Sequence, residues 1–333
     1  MLHLVTGCAG FIGSNIAAKA LELGHEVVGI DNLNNYYDPE LKNTRVKFLQ
    51  KNLNFKFIEG DINDTELLDR IGNEANVSSL YHLAAQAGVR ISAEQYSKYI
   101  EANVSGFTNI LNFAVTRKIP NFIYASSSSV YGNTQDLEFN EISTETNPTS
   151  YYGSTKLFNE KIASVMVRGS STRARGLRFF TVYGEMGRPD MAYFRIANSI
   201  LNNKKFNLFG DGKIRRDFTY ISDITNATLE LGKELSTRSQ GYSDIVNIGG
   251  GNPYSMNELI SEISKQLGKN PDIAVTAANE NDVAVTKADT SKLNELIGFT
   301  PRVSVQEGIS RFLAWAKKEE IKDKLDGWVN SAP

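Results

Sequence analysis

Tyr152 and Lys156 stand four positions apart in the stretch 150–156, where the sequence predicts the start of a helix. One helical turn places both side chains on the same face. A cation near a phenol favours the phenolate and lowers the phenol pKa from its usual value of about 10. We therefore predict that Tyr152 exchanges protons with a ligand near neutral pH. An exposed Tyr and Lys pair explains the same spacing, since the chain has 14 tyrosines and 36 basic residues, so the rest of the sequence must decide.

A glycine-rich turn near the start of the chain is suited to a phosphate group. Residues 2–5 form an apolar run, Gly7, Gly10 and Gly13 follow at three-residue spacing, and a helix is predicted over 14–23. This is a variant of the dinucleotide fingerprint, in which glycines allow a tight turn and the helix N-terminus attracts the anion. The glycines alone are equally consistent with a turn that binds nothing, but their position between strand and helix favours a dinucleotide.

Asp31 predicts which dinucleotide binds. It ends a second predicted strand, 26–30, and comes eighteen residues after Gly13. A carboxylate at this place suits a ribose 2′-hydroxyl and repels a 2′-phosphate. The sequence therefore predicts NAD as the cofactor in preference to NADP.

Strand and helix patterns continue to alternate up to Gly184. Strands are predicted over 55–59, 79–83, 121–125 and 177–180, and a long helix over about 96–115. This alternation predicts an α/β fold, a Rossmann-type doubly wound parallel sheet whose ligands bind at the carboxyl ends of the strands. The serines 126–129 emerge at that edge, although a polar turn without a ligand accounts for them equally well.

The regular alternation stops beyond Gly184, which predicts a smaller, mixed α/β part. We predict an NAD-binding domain over residues 1–184 and a mainly substrate-binding part over residues 185–333, interleaved with the first and not joined by a linker. In this part the sequence predicts helices over 191–201 and 223–235, a short strand over 206–209 and an extended segment over 215–220. Residues beyond about Glu320 read as a frayed polar tail.

Composition limits the class of partner. The chain has 333 residues, 41% of them hydrophobic, and a net charge of -2 with dispersed basic residues, which argues against nucleic acid or an anionic membrane as a partner. The single Cys8 excludes an internal disulfide, and three scattered histidines lack metal-ligand spacing, so no metal is predicted. No signal peptide or membrane span is recognisable, which predicts a cytoplasmic protein with small-molecule ligands.

The order of these motifs resembles one protein family over nearly the whole chain. Gly7-x-x-Gly10-x-x-Gly13, Leu83-Ala84-Ala85, Ser127 and Tyr152-x-x-x-Lys156 are similar to the extended short-chain dehydrogenases/reductases, and within them to the nucleotide-sugar epimerases and dehydratases. The segments 31–39, 84–90, 178–184 and 187–192 are most similar to those of the UDP-glucuronate 4-epimerases.

The resemblance implies a set of site residues. It makes Ser127, Tyr152 and Lys156 the catalytic group. Around NAD it places Gly7, Gly10, Phe11, Ile12, Gly13, Asp31, Asn32, Asp61, Ile62, Leu83, Ala84, Ala85, Gln86 and Asn103, together with Tyr152 and Lys156. Around a UDP-sugar substrate it places Arg90, Ser127, Ser128, Thr181, Arg188, Phe209, Arg216 and Asp282.

The resemblance also assigns parts of the substrate. Phe209 is expected near the uracil, Arg216 on the diphosphate, Asp282 on the ribose and Arg188 on the sugar carboxylate. Asn281 stands where the family usually has glycine, a departure that weakens the ribose assignment. A homodimer through helices around 96–115 and 152–167 is implied as well, although the same apolar stripes also suit packing against the sheet.

The implied activity is reversible C4 epimerisation of UDP-glucuronate to UDP-galacturonate through a 4-keto intermediate. Three alternatives remain: a C4 epimerase of another UDP-sugar, a UDP-sugar dehydratase or decarboxylase, and a non-catalytic NAD-binding protein. Ser128 and Ser129 occupy positions where the dehydratases and decarboxylases usually carry carboxylates, which favours epimerisation. The intact set of Ser127, Tyr152 and Lys156 argues against a non-catalytic protein.

Overall fold

The computed structural model describes residues 1–89, 91–134, 136, 138–277 and 283–333. Its strands are β1 (Leu2–Thr6), β2 (Glu26–Asp31), β3 (Phe55–Glu59), β4 (Ser79–His82), β5 (Asn121–Ser127), β6 (Arg173–Phe179), β7 (Thr181–Tyr183), β8 (Lys205–Phe209), β9 (Arg215–Tyr220), β10 (Ser243–Ile248), β11 (Pro253–Ser255) and β12 (Asp272–Thr276). Its α-helices are α1 (Phe11–Glu22), α2 (Pro39–Leu49), α3 (Thr65–Glu74), α4 (Tyr96–Tyr99), α5 (Phe107–Thr116), α6 (Tyr151–Met166), α7 (Ala192–Leu201), α8 (Ile221–Leu235), α9 (Met256–Leu267), α10 (Ser291–Ile297), α11 (Val305–Ala316) and α12 (Glu319–Ser331).

Within the described residues, seven strands form the main sheet in the order β10-β6-β5-β4-β1-β2-β3, and every neighbouring pair is parallel. The chain runs from β1 outward through β2 and β3, then returns to place β4 on the other side of β1. Such a reversal of strand order opens a crevice at the carboxyl ends of the two central strands. The predicted Rossmann-type doubly wound sheet is confirmed.

Helices cover both faces of this sheet, which explains why its strands are apolar on both sides. Leu4 and Val28 face the core that contains Ile110 of α5, whereas Val5 and Val27 face the core that contains helix α1. Helix α8 packs against α1, and α5 packs between α3 and α6. The central strands are therefore rigidly held, and the loops at their carboxyl ends have fixed starting points.

Elements beyond residue 184 contribute to more than one layer. Strand β10 completes the main sheet beside β6, and α8 lies on its face against α1. In the described part of this region, β7, β9 and β11 form one small sheet, and β8 and β12 form another. The division into a cofactor part and a substrate part stays a prediction about function.

The helix predicted over 96–115 is interrupted. Helix α4 continues into a π-helical segment, Ile100–Gly106, before α5 begins. Such π-helical insertions are often found at functional sites. Here the wide turn carries Asn103, whose side chain is buried.

The C-terminal segment is a packed helix, so the prediction of a frayed polar tail was wrong. Ile321, Leu325 and Trp328 of α12 are buried on one face, and the Trp328 ring stacks on Trp315 with centroids 6.2 Å apart. The Trp328 indole also donates a hydrogen bond to Glu40 at 3.3 Å. None of the described helices has the length and apolar character that a membrane crossing requires.

Candidate active site

The glycine-rich turn brings the end of β1 against the end of β4. Gly7 has a φ of 71°, and a Cβ on this residue would lie 2.6 Å from the backbone nitrogen of Ala84. A Cβ on Gly13 would lie 2.2 Å from the carbonyl oxygen of Gly7, while Gly10 N–H donates to that oxygen at 2.9 Å. A side chain at Gly7 would therefore push the two strand ends apart, and one at Gly13 would push α1 away from the turn.

The N-terminus of α1 is suited to an anion. Gly10 is its N-cap residue and, among the described residues, no side chain caps the helix and no acidic residue lies in its first turn. By contrast, Asp38, Asp64 and Ser150 cap α2, α3 and α6. The first amides of α1, from Phe11, Ile12 and Gly13, thus remain available for a phosphate. The turn fits the pyrophosphate of a dinucleotide.

Asp31 is fixed beside this turn at the end of β2. One carboxylate oxygen accepts a hydrogen bond from Ala9 N–H at 3.0 Å, and the other accepts one from Leu33 N–H at 2.9 Å. Each oxygen keeps a further lone pair for a hydroxyl donor. Next to it, Asn32 donates to Asp61 at 2.7 Å across the ends of β2 and β3. These residues fit a ribose and its base.

The segment after β4, with Leu83, Ala84, Ala85 and Gln86, lies partly buried across the turn from Gly7. Asn103 holds it in place. Its side-chain oxygen accepts from Gln86 N–H at 2.8 Å, and its amide donates to Gln86 O at 2.9 Å and to Thr155 Oγ1 at 3.1 Å.

The side chain of Asn103 is 1% exposed and so does not face the cleft. It acts by holding Gln86 and the segment after β4 in position. Ile62 is also buried, and it packs under Gly106.

The predicted catalytic residues meet where α6 begins. Ser150 caps the helix by accepting from Gly153 N–H at 3.0 Å. Lys156 Nζ lies 5.7 Å from the centroid of the Tyr152 ring and donates to the carbonyl oxygen of Ala125 at 3.0 Å. Ser127, at the end of β5, lies close enough to the Tyr152 side chain to oppose the rise that burial causes in the pKa of its phenol. The structure thus brings Ser127, Tyr152 and Lys156 together.

The pKa of Tyr152 differs from the sequence-based expectation. Burial raises the pKa above its usual value, and the Arg188 charge and the nearby Ser127 hydroxyl oppose that rise. Burial lowers the pKa of Lys156 to about 8. The expectation that Lys156 lowers the Tyr152 pKa below its usual value is wrong for this structure, because burial outweighs a cation whose hydrogen bond goes to Ala125.

Behind this group, Glu160 extends the 152, 156, 160 series on the same helix face. It receives a bidentate pair from Arg178, Nε to Oε1 at 2.8 Å and Nη2 to Oε2 at 2.7 Å, and Ser126 Oγ donates to Oε1 at 2.5 Å. Both charged side chains are buried. Arg178 is on β6 and Ser126 is beside it on β5, so the ion pair fixes α6 to β6 and the Ser126 hydrogen bond fixes it to β5. The sequence analysis missed this pair.

Arg188 reaches the catalytic group from the loop after β7. Its guanidinium lies 5.7 Å from the centroid of the Tyr36 ring, and its charge acts on Tyr152. Its Nε donates to Asp190 Oδ1 at 3.0 Å, and its Nη2 donates to Asp190 Oδ2. The bidentate pair expected with a substrate carboxylate is therefore made with Asp190 through Nε and Nη2, and Nη1 takes no part in it. Tyr36 and Asp190 were not predicted as site residues.

The remaining predicted substrate residues lie on different elements. Ser128 opens the short 3₁₀ turn directly after Ser127, and Thr181 begins β7 just after β6, whose Phe179 is in register with Ser127. Phe209 ends β8 on one small sheet. Arg216 lies on β9, and it donates to Val283 O at 2.6 Å. Arg90, Asn281 and Asp282 lie outside the described residues.

The model of the NAD dependent epimerase/dehydratase family matches residues 3–249. The chain belongs to this family. It is 38% identical over 317 residues to the UDP-glucuronate 4-epimerase of Thermodesulfobacterium geofontis, covering 95% of this chain and 96% of that relative. The predictions of an NAD cofactor and of an NAD-dependent epimerase are confirmed.

Two solved structures are similar over the whole fold. The UDP-glucuronic acid 4-epimerase from Bacillus cereus, in complex with UDP-glucuronic acid and NAD, has a TM-score of 0.88 and 34% identity, covering 95% of this chain and 99% of that chain. The UDP-glucose 4-epimerase of Thermotoga maritima with UDP-glucose has a TM-score of 0.85 and 27% identity, covering 95% of this chain and 98% of that one.

Proposed function

We propose that this protein interconverts UDP-glucuronate and UDP-galacturonate by epimerising C4 of the sugar, with NAD held in the cleft. The observation that carries the proposal is the position of Arg188, whose guanidinium lies 5.7 Å from the centroid of the Tyr36 ring and is oriented by Asp190; its charge also opposes the rise that burial causes in the pKa of Tyr152. In a uronate the carboxylate is on C5, next to the reacting C4, so a cation beside the catalytic phenol suits that substrate. The similarity to relatives named UDP-glucuronate 4-epimerase supports it.

The chain's own residues handle the proton. Tyr152, once deprotonated, removes the proton from O4, and Ser127 Oγ donates a hydrogen bond to that oxygen as it becomes a carbonyl. Ser127 Oγ accepts from Ser129 N–H at 3.1 Å and donates to Ser129 Oγ at 3.1 Å, so its proton turns from Ser129 to O4 when the sugar binds. When bound in its oxidised form, NAD carries a positive nicotinamide ring that accepts a hydride from C4 and later returns it.

Inversion requires that the 4-keto sugar turn over within the site before the hydride returns to its opposite face. Tyr152 then gives the proton back to O4, so atoms and electrons balance without a second redox substrate. For this to work, the nucleotide must stay fixed while the ring moves. We assign that task to Phe209 and Arg216, and to Asp282, and we propose residues 1–184 as the NAD-binding domain and 185–333 as the mainly substrate-binding part.

The carboxylate needs a fixed orientation because the 4-keto uronate is a β-keto acid. Such an acid loses carbon dioxide when its C5–carboxylate bond aligns with the carbonyl π system. Arg188 is already oriented by Asp190, so its remaining Nη1 edge presents planar donors in one direction. Ser128 and Thr181 are suited to add hydroxyl contacts. We propose that this set holds the carboxylate out of alignment.

A second candidate is C4 epimerisation of a neutral UDP-sugar, which the likeness to the Thermotoga maritima UDP-glucose 4-epimerase supports. A dehydratase or decarboxylase is less well supported, because it needs a carboxylate for acid-base work near C5 or C6. Ser128 and Ser129 provide hydroxyls at the places expected for it. Nearby Asp190 is paired with Arg188, and Glu160 with Arg178.

We also propose a cytoplasmic homodimer. Helix α6 exposes Phe158 and Val165 on one stripe, and the neighbouring segment exposes Tyr96 and Ile100. These apolar side chains are suited to pairing with the same surface of a second copy. Light scattering is expected to give twice the chain mass of 36.9 kDa; a mass of one chain would contradict the homodimer.

Comparison of UDP-glucuronate with UDP-glucose tests the substrate assignment. We expect the wild type to prefer UDP-glucuronate, and Arg188→Met to lose that preference and to release labelled carbon dioxide from carboxyl-labelled substrate. Arg117→Met removes a half-buried arginine paired with Asp69 and serves as the control for loss of one charge. An Arg188→Met variant with native affinity for UDP-glucuronate and no released label would contradict the assignment.

A further inference from the structure

Arg45 of α2 is a buried arginine that contacts the glycine-rich turn. Its side chain is 1% exposed, and its Nη1 donates to the carbonyl oxygen of Ala9 at 2.8 Å and to the Tyr37 hydroxyl at 2.6 Å. Ala9 is also the residue whose N–H donates to Asp31. Both polar backbone groups of Ala9 are therefore fixed, one by Asp31 and the other by Arg45.

The other edge of the same guanidinium contacts the loop that carries Arg188. Arg45 Nε and Nη2 donate to the carbonyl oxygen of Met186 at 3.1 and 2.5 Å, and Nη2 donates to Gly187 O at 3.2 Å. These are the two peptide groups immediately before Arg188. A single planar side chain thus joins the cofactor turn to the loop, although Arg45 and Met186 are 141 positions apart.

This loop has little freedom of its own once Arg45 is in place. Met186 has a φ of 54°. This left-handed conformation is energetically unfavourable for any residue that has a side chain. Tyr193 donates to Gly184 O at 3.1 Å, and a Cβ on Gly187 would lie 1.6 Å from the Tyr193 hydroxyl. Tyr193 therefore packs against the same loop whose carbonyls Arg45 binds.

The chemistry of the contacts argues for a positioning role beyond simple packing. The hydrogen-bond acceptors of Arg45 in the described residues are carbonyl oxygens and a phenol, with no carboxylate among them. A buried cation without an anionic partner is expensive, and an apolar side chain would fill the same space at lower cost. Such a group is retained where its directed donors specify a conformation.

We propose that Arg45 is a positioning residue that holds the Arg188 loop in register with the glycine-rich turn, so that the sugar carboxylate and the cofactor meet in one geometry. This rests on the proposed function, since it assumes that Arg188 binds the sugar. Lysine cannot replace Arg45, because a point charge with three donors cannot span Ala9 and the Met186 and Gly187 carbonyls in one plane.

Arg45→Lys in the enzyme with its cofactor tests the proposal. We expect KM for UDP-glucuronate to rise about tenfold to a hundredfold, while binding of UDP alone, measured by calorimetry, stays unchanged. NAD content, read from the absorbance of the released cofactor, should also be kept. If Arg45 were only structural, Arg45→Lys would lower the melting temperature without weakening the binding of UDP-glucuronate more than that of UDP.

Two further variants keep the test decisive. Arg175→Lys makes the same change at a buried arginine on β6, which pairs with Asp244 and Glu234 away from the loop; it should lower the melting temperature and leave KM unchanged. Tyr37→Phe removes only the phenol that accepts from Arg45. It should raise KM a fewfold even if Arg45→Lys fails to fold.

The outcomes separate the inference from the function on which it rests. A wild type that does not convert UDP-glucuronate contradicts the proposed function, and the inference with it. An active wild type whose Arg45→Lys and Tyr37→Phe variants keep the native KM contradicts the inference alone. An equal loss of affinity for UDP and for UDP-glucuronate would also overturn the inference, because the substitution would then not act through the loop that carries Arg188.

Discussion

Lys156 Nζ donates its hydrogen bond to the carbonyl oxygen of Ala125, at 3.0 Å, and lies 5.7 Å from the centroid of the Tyr152 ring. The ammonium group is therefore held by β5 and acts on the phenol by its charge across a gap. Burial lowers its own pKa to about 8, so the charge persists at neutral pH but is lost soon above it. Burial of the charged form of Lys156 therefore costs folding free energy.

Tyr152→Phe should reduce turnover by about 10² to 10⁴, the contribution of a positioned acid-base group, with fold and NAD content kept. The control is Tyr151→Phe, because this neighbouring ring stacks on Tyr96 at 4.3 Å and has no assigned role in proton transfer. Steady-state kinetics and circular dichroism measure both. Undiminished turnover in Tyr152→Phe would mean that another group handles the proton.

Lys156→Met should make the protein more stable at pH 7 by about 1–2 kcal/mol while abolishing activity, because a buried ammonium is costly and Met has a similar shape. The lost hydrogen bond to Ala125 offsets part of the gain. Thermal unfolding of the protein freed of NAD measures this, since bound NAD would add a stabilisation that depends on its affinity for each variant.

The same variant has a predicted pH dependence. Between the folded pKa of Lys156, about 8, and its usual value of 10.5, the unfolded wild type binds more protons than the folded one. The wild type therefore gains stability as pH rises through this window. The difference in free energy of unfolding between the wild type and Lys156→Met should narrow accordingly. A difference that stays constant from pH 7 to pH 10 would show that the lysine is not destabilised by burial.

Glu160→Gln should lower the free energy of unfolding by about 3–5 kcal/mol, since it leaves the buried Arg178 cation without its anion. Urea denaturation followed by fluorescence measures the loss. Glu22→Gln disrupts an exposed pair with Lys19 and should change stability little. Similar small effects in both variants would contradict a buried pair that fixes α6 to the sheet.

Asp31→Ala should relax the discrimination against NADP at least tenfold, because the carboxylate beside the ribose repels a 2′-phosphate. The ratio of apparent affinities for NAD and NADP measures it. Asp64→Ala removes a carboxylate that caps α3 and should leave the ratio unchanged. Native protein that binds both cofactors equally would contradict the role of Asp31.

The elements that depend on local pattern were predictable. The strand Phe55–Glu59 was predicted with its observed bounds, and Tyr152 and Lys156 share a face because helical spacing requires it. The break at Ile100–Gly106 was missed, because a π-helical turn leaves no simple periodicity. In α12, the charged residues between Ile321, Leu325 and Trp328 hid an apolar stripe at helical spacing.

Contacts between distant segments were not predictable in the same way. Glu160 contacts Arg178 only because β5 and β6 pair in the register that places Ser126 beside Arg178. The register between two strands cannot be predicted from the sequence of either strand alone. Arg45 likewise contacts Met186 through the packing of α2 beside the glycine-rich turn. Partners in such contacts emerge only when the whole sheet is assembled.

The most direct test of the account follows the hydrogen on C4. UDP-glucuronate carrying deuterium at C4 is incubated with the wild type, and the products are identified by NMR. We predict UDP-galacturonate that retains the deuterium at C4, with no carbon dioxide and no accumulated NADH, because the same hydride leaves and returns. Loss of the deuterium to solvent, a pentose product, or no conversion of UDP-glucuronate would contradict C4 epimerisation by Ser127, Tyr152 and Lys156.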